Sequence, residues 1–409
     1  MYLSQRTDAN INTKSPPNAL LVATAELCEW RVAAAEAILN FSDADQSQQV
    51  KVIKTILHPG EVNKIREVPG HSEVVVTHTD SKELYVWHTG RQPNRKEKVT
   101  ASAALSVADL TLIGHTADAE FALGVATAAP LVASGGKDKS VMVWNLADAD
   151  GGALLARADP DAVDPNPKAD AGRAPSRLDA QSRLKGHTDT VEDVVWRPDS
   201  AAELASVGDD RALLFWDTRA AHSPAGRVPD AHGPAHDLHC VDWSALQPHL
   251  VATGAADGSV RVWDKRELAR PLHIFAVHVK PTMRMEWSPT HEGVLASGGE
   301  DRRICIWDLN RGAGGGTGDG DAKRPPQLMF LHSGHRGGVA DFQWVPGEPA
   351  DPFTMASVSD NGVGGTLQLW RINDMIWRPE DVVLAELEEH RDFILNAKNK
   401  KQAPAVTPL

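Results

Sequence analysis

His187, Ser206 and Asp210 have the residue types of a hydrolase triad: a hydroxyl nucleophile, an imidazole base and a carboxylate to orient it. The same types recur at nearly the same spacing as His115, Ser134 and Asp138, as His232, Thr253 and Asp257, and as His278, Ser297 and Asp301. Each set is followed by a tryptophan: Trp216, Trp144, Trp263 or Trp307. A catalytic constellation needs one site, so a set that repeats describes a structural unit. The chemistry that fits is a buried hydrogen-bond network in which indole N–H, hydroxyl, imidazole and carboxylate satisfy one another between strands. Two further copies are degenerate: Ser81 in the first and Asn361 in the last stand where an aspartate is expected.

Other chemistry finds less support. His236 and His239 are close in sequence, but no Cys or carboxylate completes a metal-ligand set at a known spacing. The glycine-rich RGAGGGTGDGD, from Arg311 to Asp321, lacks the Gly-Lys-Ser/Thr of a phosphate loop and reads as a linker. The basic run RQPNRKEK, from Arg91 to Lys98, reads as a solvated loop. No metal, cofactor or catalytic residue is expected.

The elements that must position these residues follow from the stretch Gly186 to Asp217, GHTDTVEDVVWRPDSAAELASVGDDRALLFWD. Period-2 alternation through VEDVVW and LASV, broken by RPDS and GDD, predicts half-buried antiparallel strands joined by tight turns. The distance from His to Trp measures the repeat. The pairs His58–Trp87, His115–Trp144, His187–Trp216, His232–Trp263, His278–Trp307 and His335–Trp370 lie 29, 29, 29, 31, 29 and 35 residues apart. Copies at this spacing, with Gly-His and Trp-Asp marks, resemble WD repeats and imply an all-β, seven-bladed propeller.

The composition agrees. Twelve Trp against two Tyr fits a fold that uses Trp at a repeated position. A net charge of −13 argues against general nucleic-acid or acidic-membrane binding and favours a basic partner. Cys28, Cys240 and Cys305 form no C-x-x-C pair and are expected as buried, reduced thiols. No signal peptide or long apolar run is present, so a soluble intracellular protein is expected.

In chain order, residues 1–57 supply strands at Tyr2 to Asp8, Ala19 to Leu27 and Val50 to Leu57, with a short insert helix from Arg31 to Phe41, completing a blade. A chain that starts in a strand leaves its ring unclosed, so an upstream strand and helix are expected to precede it. Residues 58–377 hold six repeats, interrupted by loops at about 145–183 and 311–321 that are expected to be disordered. Residues 378–409 form a C-terminal helix and tail, with Val382, Val383, Ala385, Leu387 and Ile394 packed on the propeller.

Residues just before each first strand of a propeller surround one mouth of its channel. Here they include Glu61, Asp118, Glu120, Glu192 and Asp237, carboxylates that would attract a Lys/Arg-rich peptide. The stretches HPGEVNKIRE, GHTADAEFAL, SGGKDKSVMVW, SVGDDRALLFWDTR and GGTLQLWRINDMIWRPEDVVLAELE resemble the MSI-like histone-binding WD-repeat family, the retinoblastoma-associated proteins. RVAAAE and WRPEDVV are most similar to its plant FVE branch.

The resemblance implies a nuclear, non-catalytic scaffold in transcriptional repression, whose partners are histones three and four and subunits of histone deacetylase, Polycomb-type or chromatin-assembly complexes. It implies that Glu61, Asp118, Glu192 and Asp237 hold the histone-three tail, with Pro281 where relatives often carry an acidic residue. It also implies a side groove for histone four, matched by a loop of Pro325, Pro326, Leu328, Met329 and Phe330. No membrane contact or sequence-specific nucleic-acid binding is implied. A different reading comes from Trp216-Asp217-Thr218-Arg219 and Trp263-Asp264-Lys265-Arg266, which look like the WD-x-R element that docks on a cullin ubiquitin-ligase adaptor. Pairing of Arg219 and Arg266 within the blade turn is the bland alternative.

Overall fold

A computed structural model describes residues 1–5, 17–25, 50–95, 105–118, 121–156, 174–220, 223–311, 325–345, 353–360, 362, 364–373, 376–389 and 391. The strands form seven sheets arranged as a propeller. The first sheet holds β1 (Tyr2–Gln5), β2 (Ala19–Ala25) and β3 (Val50–Leu57). The second holds β4 (Val62–Val68), β5 (His71–Thr79), β6 (Leu84–His88) and β7 (Leu110–Ile113); the third holds β8 (Leu123–Val125), β9 (Leu131–Gly135) and β10 (Ser140–Asn145). Their outer strands are β11 (Ser176–Asp179), parallel to β7, and β12 (Ser182–Lys185), antiparallel to β10.

The fourth sheet holds β13 (Val191–Trp196), β14 (Glu203–Gly208), β15 (Leu213–Asp217) and β16 (Gly226–Val228). The fifth holds β17 (Leu238–Trp243), β18 (Leu250–Ala255), β19 (Ser259–Asp264) and β20 (His273–Ala276). The sixth holds β21 (Thr282–Trp287), β22 (Val294–Gly299), β23 (Ile304–Asp308) and β24 (Leu328–His332); the seventh holds β25 (Gly338–Trp344), β26 (Thr354–Asp360) and β27 (Gly365–Arg371). The strands β1, β4, β8, β13, β17, β21 and β25 touch in that order and line the axis.

The sheets pack face to face, and each strand residue chooses between two interfaces. Leu204 and Leu214 join Val141 and Val143 of the third sheet, whereas Ala205, Val207 and Phe215 join Val241 and Val251 of the fifth. The middle strands are therefore buried on both faces, as β18 and β22 are along their whole length. This corrects the expectation of half-buried strands: alternation here divides two cores, and the solvent face is missing. Gly208 ends β14 because a Cβ there would collide with the Thr190 carbonyl.

The interruption at 145–183 is ordered at both ends, against expectation. Residues Leu146–Asp148 and Asp150–Leu155 form 3₁₀ helices, and β11 and the first half of β12 come from the same stretch. His71 and His88 bond the carbonyls of Leu155 and Ala156 at 2.9 Å each, and Arg91 donates to Ala153 and Ala156. The insert thus leaves the third sheet, ties down on the second and returns. The insert helix expected at Arg31 to Phe41 lies outside the described residues.

The C-terminal helix α1 (Glu380–Glu389) forms where expected, but Val382, Leu384 and Ala385 are exposed. Its attachment is Trp377, just before it, whose ring lies 5.3 Å from that of Phe353. The side chain of Leu387 and the whole of Ile394 lie outside the described residues. Cys240 and Cys305 are buried free thiols, their pKa values pushed up by burial; Cys28 lies outside the described residues.

Candidate functional site

The repeated polar sets are closed to substrate. Ser134, Ser206, Thr253 and Ser297 are fully buried. In the fourth sheet His187 Nδ1 meets Asp210 Oδ1 at 2.9 Å and Nε2 meets Ser206 Oγ at 2.7 Å, while Trp216 Nε1 donates to the same hydroxyl at 2.8 Å. The sixth sheet repeats this with His278, Asp301, Ser297 and Trp307 at 2.9–3.0 Å. Asp210 also accepts from the N–H groups of Thr188 and Ala212, so one carboxylate holds the histidine and builds the turn beside Arg211, whose φ is 63°. Burial would raise the Asp210 carboxyl, but the bonds from His187 and the backbone outweigh it and leave its pKa lowered.

Individual sheets vary the pattern. In the fifth sheet the Ser259 hydroxyl lies between His232 Nδ1, at 2.8 Å, and Asp257. In the third, Trp144 donates to the Ile113 carbonyl at 3.0 Å, and Ser134 is shared by His115 and by His78 of the neighbouring sheet. The degenerate second and seventh sheets keep their hydroxyls: Thr77 meets His58 and Trp87, and Ser357 meets His335 and Trp370. Ser81 and Thr366 supply hydroxyl groups near where other sheets have the aspartate.

The mouth is built by a shared backbone device. The carbonyls of Asp118, Thr190, Asp237 and Pro281 accept from the N–H groups of Lys137, Asp209, Ala256 and Glu300 at 2.9–3.0 Å, which puts those residues at equivalent places on one rim. The innermost strands then bulge, between Val62 and Lys64, Val191 and Asp193, Leu238 and Cys240, Thr282 and Arg284, and Val339 and Asp341. A bulge re-aims the side chains around it. Glu192 is the bulged residue of the fourth sheet, and Lys64, Asp193, Arg284 and Asp341, which follow the bulges of their own sheets, make ion pairs between sheets.

Glu61 and Asp118 are exposed, and Glu192 and Asp237 are half-buried. Glu120 lies outside the described residues. Asp209 belongs to the same acidic rim and was not singled out from the sequence. Burial first, and then the charge of Asp237, raises its carboxyl pKa, with Asp189 and Asp210 adding to the effect. The signal was present as the first Asp of GDD, but only the fold sets it beside Asp237.

The channel below the mouth holds a mixed-charge network that sequence reasoning also missed. Lys64 of the second sheet reaches Asp193 of the fourth at 2.5 Å. Asp341 of the seventh accepts from Arg66 at 2.9 Å and from Arg284 of the sixth at 2.8 Å. Asp193 also accepts from the Val194 and Val241 N–H groups, and Asp242 from that of Trp287. Burial raises the Glu286 carboxyl to about 8 and that of Asp242 to about 6, with Arg284 opposing both shifts.

The residues expected in a side-groove loop are placed differently. Leu328, Met329 and Phe330 lie in β24, where Met329 is buried and Phe330 faces Trp370 at 5.9 Å; Pro325 and Pro326 precede the strand. Arg219 and Arg266 are exposed, and each pairs with the aspartate two residues before it, Asp217 at 2.7–2.9 Å and Asp264 through Nε at 2.9 Å. That pairing is the bland alternative weighed for the WD-x-R element.

Fold and buried networks together define a WD-repeat β-propeller, and the family described as "WD domain, G-beta repeat" matches residues 109–145, 179–217, 227–264 and 269–308. The repeats starting at His58 and His335, which lack the aspartate, lie outside those ranges. The chain is 41% identical over 417 residues to the "WD-40 repeat-containing protein MSI4" of Arabidopsis thaliana, covering 98% of this chain and 78% of that protein. It belongs to the MSI family of WD-repeat proteins.

Proposed function

We infer that this protein is a non-catalytic nuclear scaffold that holds a histone amino-terminal tail against its acidic mouth and joins it to deacetylase, Polycomb-type or chromatin-assembly partners. The observation that carries the reading is the rim itself: equivalent backbone positions present Asp118 and Asp237, Asp209 lies beside Asp237, and Glu61 and Glu192 stand at the start of their own inner strands. Carboxylates gathered on one rim attract lysine and arginine and bond them with charge assistance. Histone-four binding through Pro325, Pro326 and the β24 residues belongs to the same reading, although buried Met329 would shape such a groove from beneath.

Titration of the full chain with histone-tail peptides at two salt concentrations tests this. Affinity is expected on the order of micromolar, weaker at the higher salt, and largely lost when Glu192 and Asp237 are both changed to Lys. Equal binding by that double variant would reject the acidic-mouth reading.

A second reading, docking on a cullin-ligase adaptor, is favoured by the exposure of Arg219 and Arg266 at equivalent places on adjacent sheets. Charge reversal at both, followed by pull-down with the adaptor, should abolish recovery; unchanged recovery removes the idea.

A further inference from the structure

The sixth sheet gives the rim a different character. Between His278 and the channel-facing Arg284 it presents Val279, Lys280, Pro281 and Met283. Val279 is 75% exposed and Met283 37%. Pro281 accepts from Glu300 as Asp237 accepts from Ala256, and Met283 sits at the bulge as Glu192 does in the fourth sheet. An apolar lip therefore continues the rim, and two exposed charges of opposite sign stand beside it, Lys280 and Glu300, the latter at the place Asp209 takes in the fourth sheet.

We propose that this lip seats an apolar side chain of the peptide held by the acidic sectors, so that the preferred ligand is a basic segment carrying an aliphatic residue on the side away from its lysines and arginines. The proposal rests on the histone-tail reading and names its ligand class. Charge complementarity over the second to fifth sheets chooses a basic peptide. At the lip Lys280 offsets the charge of Glu300, so a cation gains little there, whereas an aliphatic group placed on Val279 and Met283 removes apolar surface from water on both sides.

The test uses synthetic peptides of equal length and equal positive charge, with leucine or serine scanned through the neutral positions. Leucine at one register should tighten binding to the full chain roughly tenfold, with the gain kept at higher salt. In the Val279→Ser, Met283→Ser protein, whose altered side chains reach solvent and should leave folding intact, the gain should disappear while the salt-dependent part remains. Leucine without advantage at every register, or an equal gain in the variant, would overturn the proposal alone. Failure of every peptide to bind at low salt would overturn the histone-tail reading, and the proposal with it.

Discussion

Asp341 is the carboxylate on which two guanidiniums converge, and its removal tests whether the channel network holds the ring together. Asp341→Asn would keep the shape while leaving Arg66 and Arg284 without their shared counter-charge. Breaking a fully buried pair costs about 3–5 kcal/mol, and breaking an exposed one under about 1 kcal/mol. The side chains of Asp341, Arg66 and Arg284 are 34%, 22% and 14% exposed, between those limits. A loss of about 2–3 kcal/mol is expected. Urea unfolding followed by tryptophan fluorescence reads it as a lower midpoint at unchanged m. A double-mutant cycle with Arg284→Met should return a coupling above about 1 kcal/mol. A loss under about 0.5 kcal/mol, or additive single effects, would mean that channel water screens the cluster and would refute the brace.

Trp216→Phe removes the indole donor to Ser206 and should cost about 1–3 kcal/mol in the same urea assay, with tail-peptide affinity unchanged; a matching loss of affinity would contradict a purely structural network. Gly208→Ala forces a Cβ against the Thr190 carbonyl and should destabilise by about 1–3 kcal/mol, read as a lower calorimetric midpoint; a wild-type midpoint would show that the ends of β13 and β14 can part there freely. Because Glu286 and Asp242 have folded pKa values raised to about 8 and about 6, the folded state binds more protons, and stability falls as pH rises through those values. The buried His58 and His335, lowered to about 4 by burial, act the other way at lower pH, their contribution recovering as pH rises to about 6.5. Glu286→Gln should therefore flatten the stability curve between about pH 4.5 and 8; curves parallel to wild type would rule Glu286 out as the source.

The polar sets were legible because their bonds are local. A histidine and its hydroxyl partner lie nineteen residues apart in the fourth sheet, as in the third and sixth, and the tryptophan ten further on, so one repeat contains the whole network. The exceptions arise where a neighbouring sheet intrudes. His78 reaches Ser134 from another repeat, and Trp144 turns to the Ile113 carbonyl, which no spacing within the repeat announces. The composition of the insert, poor in large apolar residues, predicts disorder. The order of its described ends comes from backbone pairing with β7 and from His71, His88 and Arg91, all supplied by the second sheet.

By itself the sequence determined the repeated unit and its buried polar cluster, because these depend on side-chain type and short separations along the chain; Glu192, expected ahead of its strand, lies within β13 at the bulge. Tertiary structure alone decided which charges meet across the channel, that Asp209 lies beside Asp237, and that the middle strands serve two cores at once. Those outcomes require residues from distant repeats to share one axis, and that shared axis brings Lys64 to Asp193 and Arg66 to Asp341 without leaving a periodic mark in the chain.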